Sequence, residues 1–352
     1  VLAVGALLAC AGAGGARDPA AVAELPLNLK GADRVPNAEW LEFSPDGRWL
    51  AACVRVASAR IRVQVWDRTD WGTVHADFDY GEQSSSGIRA RCAFDPKGTA
   101  IYAAGAGLLH VLPLPLTGPP RSTRLPFVGK TDRAAHAVSL LEDGKTLQVV
   151  TDEYAVGARV DRGPADAPER LARVLTLPGK VPGTRRLEST PEASPGGGLM
   201  SVVTTAPGAG GTVEVWGTTP PYPVTRIATL PDFVMFARFS PDGRTLATGC
   251  GDGGLRLFDL ATGKVTHSAR ADFSVSSADF HPSRPLVVFS TFDKDDPNLR
   301  VLDLKTGRVV GGRVVDKGGL VHARFSPEGK FVATLGGEEV VRIFDLDRLM
   351  QK

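Results

Sequence analysis

The sequence lacks an excess of charge of either sign. Its 352 residues carry 41 Lys and Arg against 39 Asp and Glu, a net charge of +2. That balance argues against a nucleic-acid binder driven by a basic field. Paired cysteine motifs are also missing. The four cysteines, at positions 10, 53, 92 and 250, form no CxxC and no CxxCH. The usual zinc pairs and c-type haem attachment are thereby excluded. No apolar run reaches the ~20 residues that a membrane-spanning helix needs. There is no GxSxG, no HExxH and no GxxxxGK followed by Ser or Thr. The sequence therefore offers no nucleophile elbow, zinc-protease helix or phosphate loop, and it calls for no cofactor. What is abundant is punctuation, with 40 Gly and 26 Pro in a chain that is 43% hydrophobic and 23% charged. Such a composition suits a globular fold of many short strands and tight turns, and suits long helices poorly.

Residues 1–16 read VLAVGALLACAGAGGA and contain no charge. An apolar run that ends in small residues has the form of a secretory signal peptide. Ala11-Gly12-Ala13 and Gly14-Gly15-Ala16 each offer a cleavage site of the A-x-A kind. Leu7-Leu8-Ala9-Cys10 also resembles a bacterial lipobox, in which Cys10 would carry a lipid anchor. Export to the periplasm or cell envelope is expected, with a linker at 17–23 and one folded unit at 24–352. Without Cys10, three cysteines remain. Cys53, Cys92 and Cys250 each sit in an apolar stretch and read as buried thiols.

Internal repetition dominates the rest of the chain. Phe43-Ser44-Pro45-Asp46-Gly47 recurs as Phe239-Ser240-Pro241-Asp242-Gly243 and as Phe325-Ser326-Pro327-Glu328-Gly329. Weaker copies end at Gly98 and Arg284, and degenerate ones at Gly144 and Gly197. Each string precedes an apolar strand, a turn and a second strand. Recurring endings of that second strand are Val65-Trp66-Asp67, Val215-Trp216-Gly217, Leu257-Phe258-Asp259, Val301-Leu302-Asp303 and Ile343-Phe344-Asp345. Ser-Pro-Asp-Gly is turn chemistry: Pro presets the first corner and Gly permits a positive φ at the last. Thr262-Gly263-Lys264 and Thr306-Gly307-Arg308 mark a further hairpin.

Across roughly residues 24–349 this pattern resembles the WD-repeat family of β-propellers. Its best copy is FSPDGRTLATGCGDGGLRLFDLATGK, from Phe239 to Lys264. The resemblance implies an all-β, seven-bladed propeller of four-stranded antiparallel blades. It also implies a rigid scaffold that binds a protein or peptide. There are departures. No Gly-His dipeptide precedes the inner strands, and Trp66 and Trp216 alone keep the repeat's tryptophan. The family's His–Ser/Thr–Asp–Trp hydrogen-bond network is therefore mostly missing, with Thr248 and Asp252 its only candidates in blade five. After Asp345 too few residues remain for an outer strand in the seventh blade. Residues near 24–30 are expected to supply it and so close the ring.

Loop residues supply the candidate site. Asp293, Asp295 and Asp296 in blade six, with Glu338 and Glu339 in blade seven, form an acidic sector. Arg55 and Arg60 in blade one, extended by Arg89 and Arg91 entering blade two, form a basic one. Two readings stand: a charge-polarised docking face, or solvated loop charges that balance one another. The three aspartates do not fit the spacing of an EF-hand. His136 and His322 fall on innermost strands, but no third metal ligand accompanies them. Trp40, Phe236 and Phe273 lie near the inner-strand starts, as peptide anchors at the channel mouth or as core between blades. The expected protein is a monomeric, exported, non-catalytic binding scaffold. A lactonase-like hydrolase with a channel-mouth site is the alternative.

Overall fold

A computed structural model describes residues 21–30, 37–57, 60–79, 92–105, 108–116, 120–124, 135–140, 146–151, 155–161, 170–176, 186–187, 189, 192–205, 210–218, 223–296 and 298–351. The signal-like segment with Cys10, and Arg89 and Arg91, lie outside these residues, as does the side chain of His136. Among the described residues the strands form seven antiparallel sheets, six of them running in chain order from an inner to an outer strand. Blade one is Asn37–Phe43, Trp49–Ala57, Arg60–Asp67 and Thr73–Asp79. Blades two to six occupy 92–124, 135–176, 186–229, 234–270 and 275–313. In blade four the innermost strand is in two short pieces, Arg186–Leu187 and Glu192–Ala193, both paired with Leu199–Thr205.

The turn strings work as their residues dictate. Ser44 Oγ donates to Asp46 and accepts the Trp49 amide at 2.9 Å, and Gly47 closes the turn at φ +71°. Ser240, Asp242 and Gly243 repeat the arrangement. Blade six reaches the same end by other chemistry. Nδ1 of His281 accepts the amides of Ser283 and Arg284 at 3.1 and 2.8 Å. Burial, with Arg284 beside it, holds the His281 pKa below the usual imidazole value, which keeps Nδ1 free to accept.

Blade seven shows how the ring closes. It comprises Leu320–Phe325, Phe331–Gly336 and Val340–Asp345, and its outer strand is Ala21–Pro26 from the other end of the chain. The closing strand therefore lies slightly earlier than 24–30, and takes in Ala21 to Ala23 from the expected linker. Its register sets Leu25 opposite Val341, buried beside Leu41, Trp66, Leu335 and Ile343. Glu24 pairs with Arg342 across the seam at 3.1 Å. A short helix, Leu346–Met350, capped by Asp345, then packs Leu346 and Leu349 against blade six.

The sheets pack face to face, and among the described residues apolar clusters fill the gaps between blades one and two, four and five, five and six, six and seven, and seven and one. Between blades one and two lie Trp40, Cys53, Ile61, Phe94 and Ile101. The expectation of three free thiols is corrected here. Cys53 and Cys92 are joined as a disulfide in this gap, so only Cys250 is free among the described cysteines. The apolar stretches that suggested thiols are the two facing strands that bring the sulfurs together.

If Leu25 anchors the seam, Leu25→Ala should cost about 2–3 kcal/mol in urea denaturation. A loss below about 0.5 kcal/mol, the scale of an ordinary surface substitution, would show that the closing strand carries no weight.

Candidate functional site

Antiparallel order fixes two faces. The Ser-Pro-Asp-Gly turns lie on one. The hairpins between second and third strands and the inter-blade loops share the other, and the candidate residues lie there.

Three consecutive blades carry one unanticipated device on that face. Each places an acid in the hairpin and an arginine four residues later on the third strand. In blade five Arg256 grips both oxygens of Asp252, at 3.2 and 2.6 Å. In blade six Arg300 pairs with Asp296, and in blade seven Arg342 pairs with Glu338. The first pair stands where a family hydrogen-bond network was sought. Asp252 does not reach Thr248. It holds Arg256, whose backbone oxygen accepts the Thr248 hydroxyl at 3.4 Å. Hydrogen bonds from Arg256 hold the Asp252 carboxyl below its ordinary pKa.

Arg342 is a hub. Besides Glu338 it meets Glu24 on the closing strand and Asp316, at 3.5 Å, in the loop between blades six and seven. Asp316 is only 2% exposed and accepts the amides of Gly318 and Glu338. Burial outweighs those bonds and pushes its pKa up to about 6. Asn298 connects the same loop to blade six, donating to the carbonyl oxygens of Asp293 and Asp316.

The candidate residues now separate by role. Asp293 is 3% exposed and accepts the amides of Asp295 and Asp296, both at 3.1 Å, so it caps its own loop. Asp296 and Glu338 belong to the arginine clamps. Glu339 is partly buried, sits at φ +62°, and its carbonyl accepts the Leu27 amide. Asp295 is exposed. The acidic sector is thus one connected loop system across blades six and seven. Arg55 is 8% exposed at the end of its strand, whereas Arg60 is exposed. Residues 27–30 link blade seven to blade one: Arg62 donates to the carbonyl oxygens of Asn28 and Lys30 and pairs with Asp77. The sequence reading missed Glu24, Arg256, Arg300, Asp316 and Arg342. The acid–arginine spacing shared by three hairpins was the signal available.

The channel holds a second network. Arg238 stands one residue before Phe239 on the innermost strand of blade five. It contacts Asp279 of blade six at 2.8 Å and Glu192 of blade four at 3.5 Å. Across the ring it reaches Glu42 of blade one at 3.6 Å. Burial alone would lower its pKa, but Asp279, Glu192 and Glu42 outweigh that and push it up. Trp40 is core, buried against Phe94. Phe236 is partly buried over Gly249, and Phe273 is exposed. Among the described residues no three His, Cys, Asp or Glu side chains converge as metal ligands.

This architecture of radial antiparallel blades defines a β-propeller. The family model described as WD domain, G-beta repeat, matches residues 224–259. That match begins on the outer strand of blade four, Val224–Thr229, and ends with the third strand of blade five, Gly254–Asp259. WD repeat-containing protein 25 of Mus musculus is 36% identical over 80 residues, covering 22% of this chain and 14% of that protein. The crystal structure of the Cps50 (Swd1) β-propeller domain of Myceliophteria thermophila superposes with a TM-score of 0.66 at 15% identity. It covers 91% of this chain and 99% of that one. The chain is a β-propeller that carries a match to the WD repeat at residues 224–259.

Replacing Arg238 by Met would leave the largely buried Glu192 and Asp279, and the more open Glu42, without their shared cation. A loss of about 3–5 kcal/mol is expected in urea denaturation, and a loss under about 1 kcal/mol, within the range of an exposed pair, would contradict a structural role for the channel network.

Asp316 predicts a pH dependence. Its folded pKa lies above its unfolded one, so the folded state binds more protons between about pH 4 and pH 6. Its contribution to stability is fullest below that window and is lost as pH rises through it. Melting temperatures of the wild type and Asp316→Asn, taken from pH 4 to pH 7, should differ in slope, the variant lacking this decline. Parallel profiles would refute the assignment.

Proposed function

We propose that this chain is a non-catalytic scaffold, exported to the periplasm or cell envelope, that holds another protein or peptide on its hairpin and inter-blade loop face. The observation that carries this reading is the bracing of that face. Acid–arginine clamps fix the hairpins of three consecutive blades, and Asn298 and Asp316 tie the loops of two of them together. A surface held in one shape loses little freedom when a partner docks on it. Export rests on the signal-like residues 1–16.

The structure also supports a refined view of which charges a partner would meet. Asp293, Asp296 and Glu338 serve the fold, so they shape the docking face more than they contact a partner. Asp295 and Arg60 are exposed and are the charges best placed for contact across blades six, seven and one.

The test is affinity capture from the envelope fraction of the source cell. One bait is the wild-type chain and the other carries Asp295→Lys with Arg60→Glu. Both substitutions sit at exposed positions, so the ring should remain intact. A protein retained by the first bait and reduced by the second is expected. Equal retention would place the interface elsewhere, and no specific retention by either would count against a scaffold.

A further inference from the structure

Two large aromatic side chains stand exposed on the loop face, at corresponding places in successive blades. Phe233 is 43% exposed in the loop entering blade five, and Phe273 is 53% exposed in the loop entering blade six. Each directly follows an aspartate, in Pro231-Asp232-Phe233 and Ala271-Asp272-Phe273. Between them lies the blade-five hairpin Gly251-Asp252-Gly253-Gly254. The Gly251 amide donates to the Phe233 carbonyl, and Ser274 Oγ donates to the Gly251 carbonyl. The Ala271 amide donates to the Gly253 carbonyl.

The glycines make this arrangement possible. A Cβ on Gly251 would lie 2.3 Å from Cε1 of Phe233, so the ring rests directly on the bare backbone. A Cβ on Gly253, at φ +79°, would lie 2.1 Å from the Ala271 carbonyl oxygen. Phe233 is therefore held against the hairpin while much of its surface stays open to solvent. Exposed aromatics packed on a rigid backbone are the anchors that interfaces favour.

The patch itself carries acidic groups, with Arg256 and Arg270 at its edge by the blade-five hairpin. Residues 231–234, 251–254 and 271–274 contain three carboxylates and no lysine or arginine. Asp252 is taken up by Arg256, and the nearby Arg270 acts on it as well. Asp232 and Asp272 flank the two rings, Asp232 accepting the Phe233 amide through one oxygen.

We propose that Phe233 and Phe273, with Asp232 and Asp272, form a docking patch for a peptide segment that carries an apolar side chain next to a lysine or arginine. The apolar group would lie across the hairpin between the two rings, and the cation would meet the flanking carboxylates. This proposal rests on the scaffold reading above and assigns one patch of its face and the chemistry of the partner.

The experiment is selection of random phage-displayed peptides on the full wild-type chain. Synthetic versions of the enriched peptides are then measured by fluorescence polarisation against wild type, Phe233→Ser/Phe273→Ser, and Asp232→Lys/Asp272→Lys. Enriched peptides should pair aromatic or aliphatic residues with Lys or Arg. Affinity should fall about tenfold or more in the phenylalanine variant, as for anchor residues. It should fall also in the charge variant, and weaken with added salt in the wild type. Peptides that bind all three chains equally would overturn the patch and leave the scaffold reading standing. Acidic peptides, or no enrichment, would overturn the patch as well. Self-association of the wild type in sedimentation, lost in the phenylalanine variant, would overturn it in favour of a second copy. Phe233, Phe273 and Asp272 are exposed and Asp232 is partly buried, and the charge variant tests the patch even where loss of the rings disturbs the fold.

Discussion

The pairing of Ala21–Pro26 with Val340–Asp345 is the contact on which the other contacts of the ring depend. A single four-stranded blade is thin and can bury its faces only against neighbours. In an open row the first and last blades would each expose one apolar face. The cluster that joins blades seven and one, with Leu25, Leu41, Trp66, Leu335 and Ile343, exists because the seam is shut. The closing strand also covers the backbone edge of Val340–Asp345, which would otherwise be open to pairing with another chain. Arg342 reinforces the seam from within, since its guanidinium reaches the closing strand through Glu24 and the adjacent loop through Asp316.

The phase of the sequence repeat explains this closure. The matched WD repeat, 224–259, spans the outer strand of one blade and three strands of the next. Each repeat thus stitches two blades together. Ala21–Pro26 followed by blade one keeps the same phase, so the strand that closes the ring is an ordinary outer strand displaced to the other end of the chain. No special closing element is required. The same repeat, applied once around, produces both the blades and the seam.

Much of the architecture was legible because turn chemistry is local. Proline, aspartate and glycine at fixed offsets announce a reversal whatever surrounds them, and the aromatic-Asp endings mark where third strands stop. The closing strand was legible as a shortage, but its position was read from the alternation Leu25-Pro26-Leu27-Asn28-Leu29. The Ala-Val-Ala start of the true strand carries little strand preference and gave no signal. Beyond Pro26 the chain runs on as a link whose Leu27 amide bonds to Glu339. The Cys53–Cys92 pair was hidden for another reason: 39 residues separate the sulfurs, and only the packing of two blades brings them together. The acidic loop cluster was legible by its place in the chain, but the bonding of its members was not. Acidic loop residues were weighed as surface charges, whereas Asp296 and Glu338 each have an arginine four positions on, across a hairpin whose geometry the sequence does not display.

That pairing changes what the loop face presents to solvent. A carboxylate gripped by its own arginine presents little net charge to a partner, and removing it would disturb the hairpin before it weakened any interface. A large count of charges on this face therefore does not amount to a strong field. On the scaffold reading proposed above, specificity would come from groups that the fold leaves over, and from the fixed shape that the clamps impose. Asp316 marks the limit of the scheme. It is buried beside Glu338 and Arg342, and burial raises its pKa although two backbone amides donate to it. The arginine that holds the closing strand through Glu24 is thus shared with two further carboxylates, one of them costly to keep ionised. Closure of the ring and the shape of the loop face meet in one guanidinium, so a disturbance at either should be felt at the other.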